Sequence, residues 1–212
     1  MIARGAAGVI LPAFALFAVG CSAPGTPPTA SRSLDAIVIE SPGPGFSVNS
    51  RVTGPMDLDT ASNATESPPA GTRKTLEDAG FGGGYVRVWN SGNQYMGDQV
   101  LSFDHPVDAQ RFADYEVTFL KAQVSAFVFP EPSIPGATGF LLNGTTRTRP
   151  NIFCEGIWFA VDVDAFNLYY CDPQHPVAAA PLEAAATAQY RAALLRQLGT
   201  AAPGANPTPS SP

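Results

Sequence analysis

The sequence predicts an α+β domain: an antiparallel sheet of about five to six strands with two main helices packed on one side. Three observations lead there. Short aromatic and β-branched runs such as Tyr85–Trp89 and Phe153–Val161 are separated by Gly, Asn and Asp turns. One segment with helical spacing, Phe112, Tyr115, Phe119 and Ala122, interrupts these runs midway. A second one, Ala180 to Leu198, follows the last of them.

The chain has 212 residues, a formal net charge of −6 and 45% apolar residues, which suits one domain with a real core. Only 14% of residues are charged, and Lys and Arg nowhere cluster. A phosphate-binding footprint needs such clusters, so nucleic acid is excluded as an expected partner.

Residues 1–20 read as an export signal, with Arg4 as the positive start and an apolar stretch through Val9–Leu11 and Ala13–Val19. Pro12 interrupts the stretch, which falls short of the roughly 20 apolar residues of a membrane span. Residues 21–33 read as a flexible tether, because Ser22–Ala23–Pro24–Gly25–Thr26–Pro27–Pro28 cannot pack a core. Ala18–Val19–Gly20–Cys21 resembles the lipobox of bacterial lipoproteins, with Ala18 where Leu is commonest. The resemblance implies cleavage before Cys21 and acylation of its thiol, and hence an extracytoplasmic domain held at the cell membrane by lipid.

Residues 34–198 are read as one globular domain. Leu34–Glu40 is a strand or a short helix start, ended by the Ser41–Pro42–Gly43–Pro44–Gly45 turn. Residues 60–71 form a polar loop without periodicity, and Thr72 caps a short helix that stops before Gly80. Tyr85–Trp89 and Val100–Phe103 are strands joined by a turn at Asn90–Asn93. Gly82–Gly83–Gly84 precedes a strand, which is the wrong context for a dinucleotide loop. Asp104 caps a helix starting at His105–Pro106, since proline suits a first turn. Pro130–Pro135 is irregular, and Ala137–Leu142 is a strand ended by an Asn143–Gly144 turn. In the last helix Leu182, Ala186, Tyr190, Ala193, Leu194 and Leu198 share a face, and Gly199 stops it. Residues 199–212 form an Ala/Pro/Thr/Ser tail expected to be disordered.

Assigning Cys21 to lipid leaves Cys154 and Cys171, which outside the cytoplasm are expected to form a disulfide. A hairpin centred between Asp162 and Val163 places Ile157 opposite Leu168, Phe159 opposite Phe166, and Cys154 opposite Cys171. Phe153, Ile157, Phe159, Phe166, Leu168 and Tyr170 then share an apolar face. Trp158, Asn167 and Tyr169 share the other face with the cysteines. The rivals are a reactive thiol and a metal site on Cys171 and His175, for which only His105 and scattered carboxylates would supply further ligands.

No catalytic motif or cofactor loop is present. His105 and His175 both precede proline and read as boundary residues rather than bases. Asp162 and Asp164, with Asp172 nearby, suggest calcium, but two alternating aspartates at a hairpin tip read as solvated turn residues rather than a calcium loop. The chemistry-bearing surplus is aromatic: Trp89, Tyr95, Phe127, Phe129, Trp158 and Tyr169 read as core between sheet and helices or as a pocket, with Trp89, Tyr95, Trp158 and Tyr169 the candidate ligand contacts and Arg147 and Arg149 candidate partners for an anion. The element order over 34–198 resembles the PsbP/Mog1-like folds of actinobacterial envelope lipoproteins, including the LpqN type. The leading expectation is a monomeric, non-catalytic envelope module that binds a small apolar or lipid ligand or a protein partner. The alternatives are an enzyme using Asp98, Glu116, Glu155, Asp162 or Asp164, and a purely structural surface lipoprotein.

Overall fold

The computed structural model describes residues 33–122, 126–144, 152–177 and 179–200. A single 3-10 turn, Leu34–Ala36, comes first, followed by β1 (Ser47–Val48) and β2 (Gly54–Met56). Two helices, α1 (Leu58–Ala64) and α2 (Pro69–Asp78), lead into β3 (Phe81–Ser91) and β4 (Gln94–Phe103). The helix α3 (Pro106–Ala122) then precedes β5 (Ala126–Pro130) and β6 (Thr138–Gly144). The hairpin β7 (Ile152–Val161) and β8 (Asp164–Asp172) follows, and α4 (Ala179–Thr200) closes the described chain.

The strands form one 8-stranded sheet in the order β1-β3-β4-β8-β7-β6-β5, with β2 also paired to β3. Every pairing is antiparallel. After β4 the chain crosses through α3 to the far edge and returns as the meander β5 to β8, which brings β8 back against β4. The last hairpin has the expected register: Cys154 faces Cys171, Ile157 faces Leu168 and Phe159 faces Phe166. Asp162 turns it with φ 56°, the left-handed conformation that a short Asp side chain tolerates.

The sheet is covered on both faces, so helices do not sit on one side as the sequence predicts. One core gathers Met56, Ala61, Leu76, Phe112, Leu120, Cys154, Trp158 and Cys171 under α1, α2 and α3. The other gathers Trp89, Met96, Val100, Phe159, Phe166 and Leu168 with Leu182, Ala186 and Ala193 of α4. Because side chains alternate along a strand, Trp158 meets α3 through Phe112, ring centroids 6.0 Å apart, while Phe159 meets α4 through Tyr190 at 6.0 Å. Central strands β4 and β8 are therefore buried on both sides, including their polar residues Asp98, Gln99 and Asn167.

Other expectations need correction. The strand count exceeds five to six because short edge pieces β1, β2 and β5 pair through their backbones despite weak patterns. The polar loop over 60–71 is mostly helix. Asp57 caps α1 by accepting from the Thr60 amide at 2.8 Å, and Ala61 supplies the buried face. In α2, Pro69 occupies the first turn and Thr72 lies inside the helix, its hydroxyl bonded to the Pro68 carbonyl at 3.2 Å. Leu34–Glu40 opens as the 3-10 turn and buries Ile37 and Val38 against α4's face of the sheet. The glycine run belongs to β3, with a register shift between Phe81 and Gly83. In α3 the buried positions are Asp108, Ala109, Phe112, Ala113, Glu116 and Leu120, while Tyr115 and Phe119 are half-buried and Ala122 is exposed. The α4 helix continues through Gly199 to Thr200, and β6 continues through Asn143–Gly144.

Gly80, at φ +67°, ends α2 in the left-handed conformation, and a Cβ there would run into the Asp104 carboxylate. The Asp104 amide bonds back to the Gly80 carbonyl at 3.1 Å, so the two chain segments on either side of the β3–β4 hairpin are tied together.

Candidate functional site

Beneath α1 and α3 the first core is incomplete. A cavity of about 570 Å³ opens between these helices and the sheet. Its floor is the face of the β7–β8 hairpin that carries Cys154, Trp158, Asn167, Tyr169 and Cys171, extended by Tyr95 of β4. Val86 and Val88 of β3 and Phe140 and Leu142 of β6 bound it on either side. Thr60, Asn63 and Ala64 of α1 and Glu116 and Leu120 of α3 form the opposing wall. Arg51 and Val52, both exposed, stand in the turn between β1 and β2 at its rim.

Two features of the strands make this space. The Cys154–Cys171 disulfide joins directly opposed residues with Cα atoms 4.1 Å apart and forms part of the cavity floor. Glycines beside the aromatics let rings lie flat: Tyr169 lies over Gly97 and Phe140 over Gly156, each ring occupying the space a Cβ would take. Tyr95 and Tyr169 then meet edge to face with centroids 6.1 Å apart.

Buried polar groups interrupt the apolar lining. Glu116 is 1% exposed and accepts a hydrogen bond from Ser67 Oγ at 2.9 Å on its Oε2. Glu66 also lines the cavity. Asn167, 9% exposed, presents a buried Oδ1 that has no hydrogen-bond partner among the described residues. Such an atom costs free energy unless something supplies a donor.

Of the aromatics singled out in the sequence, Tyr95, Trp158 and Tyr169 share the cavity with the disulfide. Trp89 does not: it is buried on the opposite face with Met96 and Ile37, because the odd-numbered positions of β3 from Tyr85 onward point toward α4's side. Cys21, Arg147 and Arg149 lie outside the described residues. The sequence does not single out Leu120 and Phe140 as cavity residues, and it leaves Glu116 among several scattered acids. A signal is nevertheless present in α3, where Glu116 is four residues after Phe112 and four before Leu120, on the buried stripe.

The other acids do not converge on this cavity. Asp98 faces α4's side of the sheet, where the Ile39 amide donates to its Oδ2 at 2.8 Å, and burial pushes its carboxyl up to about 7. Burial likewise raises the Glu155 carboxyl, helped by Glu183 and Glu131. Asp172 is held below its usual range, first by a hydrogen bond from Gln94 at 2.9 Å and then by the Gln174 amide. Asp162 lies in the β7–β8 turn, whereas Asp164 opens β8 and is buried, not solvated as the sequence suggests. Cys171 is taken up by the disulfide, and His175 is exposed with its Nδ1 3.7 Å from Asp172 Oδ1. Among the described residues, no group of three or more His, Cys, Asp and Glu side chains forms a metal-binding cluster.

No protein-family model matches the chain, and no curated protein does. Among solved structures, the fold is similar to the crystal structure of the extracellular domain of PknH from Mycobacterium tuberculosis. The two share 11% sequence identity with a TM-score of 0.51, over 74% of this chain and 94% of that chain. The likeness is one of fold. Among the described residues, no helix is long and apolar enough to cross a membrane.

Proposed function

We propose that this chain is a lipid-anchored extracytoplasmic binding module whose cavity between α1, α3 and the sheet takes a small, largely apolar ligand. The cavity carries the reading. Its volume of about 570 Å³ lies in the range of small-molecule sites, roughly 300–1,000 Å³, and such sites pair apolar walls with a few polar groups. Trp158, Phe140, Leu120 and the two tyrosines supply the walls, and Asn167 and Glu116 supply the polar points. The lipobox-like Ala18–Val19–Gly20–Cys21 and the likeness to an extracellular domain support placing this module outside the cytoplasm. A relation to PsbP/Mog1-like lipoproteins belongs to the same proposal and rests on the order of the elements.

Native mass spectrometry of the protein purified from its own host tests the cavity. A bound mass that denaturation releases is expected, and Leu120→Trp, which fills the space, should lose it. A wild-type protein that carries no added mass and binds no apolar probe overturns the reading. The anchor has its own test. Cys21→Ser should release the protein from the membrane fraction or leave residues 1–20 uncut, and an unchanged mass and fraction would refute acylation.

A further inference from the structure

Resting on that reading of the cavity, we infer that its ligand is a neutral hydroxyl compound: an apolar body whose polar head is an alcohol set against Asn167. The polar groups of the lining single this residue out. Glu66, Glu116, Tyr95 and Tyr169 all have partners within the protein. Asn167 differs: its side chain is in the floor, and its Oδ1 is buried without a hydrogen-bond partner among the described residues. The neighbouring amide on the same face shows the contrast. Gln99, the register partner of Asn167 on β4, donates to Met56 Sδ at 3.7 Å. On the other flank the register partner is Trp158, whose ring supplies wall. A buried acceptor left this way lowers the stability of the fold. A ligand that carries a donor to it recovers that loss.

A hydroxyl is the head group that suits a carboxamide in this position. The carboxamide accepts at Oδ1 and donates at Nδ2, and a hydroxyl both donates and accepts. The torsion that turns an Asn carboxamide is broad and roughly two-fold. Either end of the group can therefore turn to the cavity and find its match in the same head. An ether only accepts, so it leaves Oδ1 unsatisfied. A charged head fares worse, because a charge taken out of water needs an opposite charge at close range. The acids of the lining are already engaged, and Arg51 stands exposed at the rim. Trp158, Phe140 and Leu120 receive the apolar body.

The test is a matched series with one body and four heads: phenylbutanol, its methyl ether, phenylbutylamine and phenylbutyrate, titrated into the full-length protein near neutral pH. Trp158 fluorescence reports binding, since Trp89 is buried on the far face of the sheet. The alcohol should bind tightest, about fivefold tighter than the ether, which is the scale of one net hydrogen bond. Asn167→Leu should erase that preference by weakening the alcohol and leaving the ether little changed. The same variant should raise the urea midpoint of the ligand-free protein, because it removes the orphaned acceptor. An alcohol preference that survives Asn167→Leu overturns the inference, and so does an amine or acid that binds tighter than the alcohol. Each of those results leaves the cavity as a site of another class. A lowered midpoint overturns the inference too, by showing that the carboxamide is bonded within the fold. Failure of all four compounds to saturate overturns the cavity reading itself, and the inference with it. The order of the four compounds on the wild-type protein stands as a test independent of the variant.

Discussion

The ring of Tyr169 on β8 lies across Gly97 on β4, its register partner, in space that a Cβ on residue 97 would otherwise fill. Neighbouring central strands thus exchange a side chain for a hydrogen, and the floor of the cavity is flat as a result. Gly97→Ala should force the ring off the strand. Overpacking of this kind costs roughly 1–3 kcal/mol, seen as a lower denaturant midpoint. It should also weaken apolar probes, because the displaced ring lines the cavity. Adding Tyr169→Leu should recover most of the lost stability, since the two sites are in contact and their effects should not add. Additive losses in the double variant would show that the ring does not depend on the glycine.

The disulfide beside that ring stabilises the same hairpin. Cys154 and Cys171 are 17 residues apart in sequence, and closing a loop of about that length is worth about 3 kcal/mol in the chain-entropy model. For a domain of this size a loss of that order should lower Tm by roughly 6–12 °C. Replacing both cysteines with alanine, or adding a reductant, should produce it in differential scanning calorimetry. An unchanged Tm on full reduction would mean that strand pairing alone constrains this segment.

Phe159 tests whether the two cores are separable. It is fully buried on α4's side of the sheet, stacked on Phe166 with centroids 4.9 Å apart. Phe159→Ala should cost about 3–5 kcal/mol through lost contacts and the space left behind. Probe affinity, measured where the variant is still folded, should be unchanged, because its side chain points away from the cavity. A parallel loss of affinity would show that the sheet transmits the defect between its faces.

These residues also show how far the sequence can be read. The last hairpin is legible to its register, because two strands rich in aromatic and β-branched residues flank Asp162 and the cysteines fall opposite each other. Its cysteine face looks half-exposed in the sequence, since Asn167 and Tyr169 dilute it, and this hides the covering helices. Amphipathic pattern records how apolar a face is and says little about what lies on it. A cavity face and a solvent face both admit polar residues, so Tyr95, Trp158 and Tyr169 can be singled out without their wall in α1. That helix escapes a reading by periodicity because its seven residues depend on the Asp57 cap and on one buried alanine, Ala61, with Leu58 half-buried. Trp89 falls with the wrong set because the β3–β4 hairpin places it opposite Met96, on the face of the sheet away from Tyr95, and a list of aromatics that ignores alternation does not separate the two faces.

Asp98 makes the stability of the second face depend on pH. It lies in the middle of β4, pairs in register with Leu168, and accepts the Ile39 amide while the Gln189 side chain approaches from α4. Arg87, its register partner on β3, favours the charged form but bonds mainly to the carbonyls of Ile39 and Asp35, at 2.8 and 3.2 Å. Burial outweighs these contacts and raises the carboxyl from 3.8 to about 7. The folded chain therefore holds a proton that the unfolded chain has already released. Where the folded state binds more protons, stability falls as pH rises. Asp98 thus contributes fully below the ordinary carboxylate value, loses that contribution as pH rises through about 7, and is flat above. Asp98→Asn keeps an acceptor for Ile39 and removes the titration. Urea midpoints from about pH 5 to about pH 8 should fall more steeply for the wild-type chain than for the variant. Hydrogen exchange at the Ile39 amide should accelerate over the same window in the wild type, beyond the intrinsic rise with pH. Parallel midpoint curves for the two proteins would mean that Asp98 stays ionised in the folded state, with Arg87 and Gln189 together offsetting its burial.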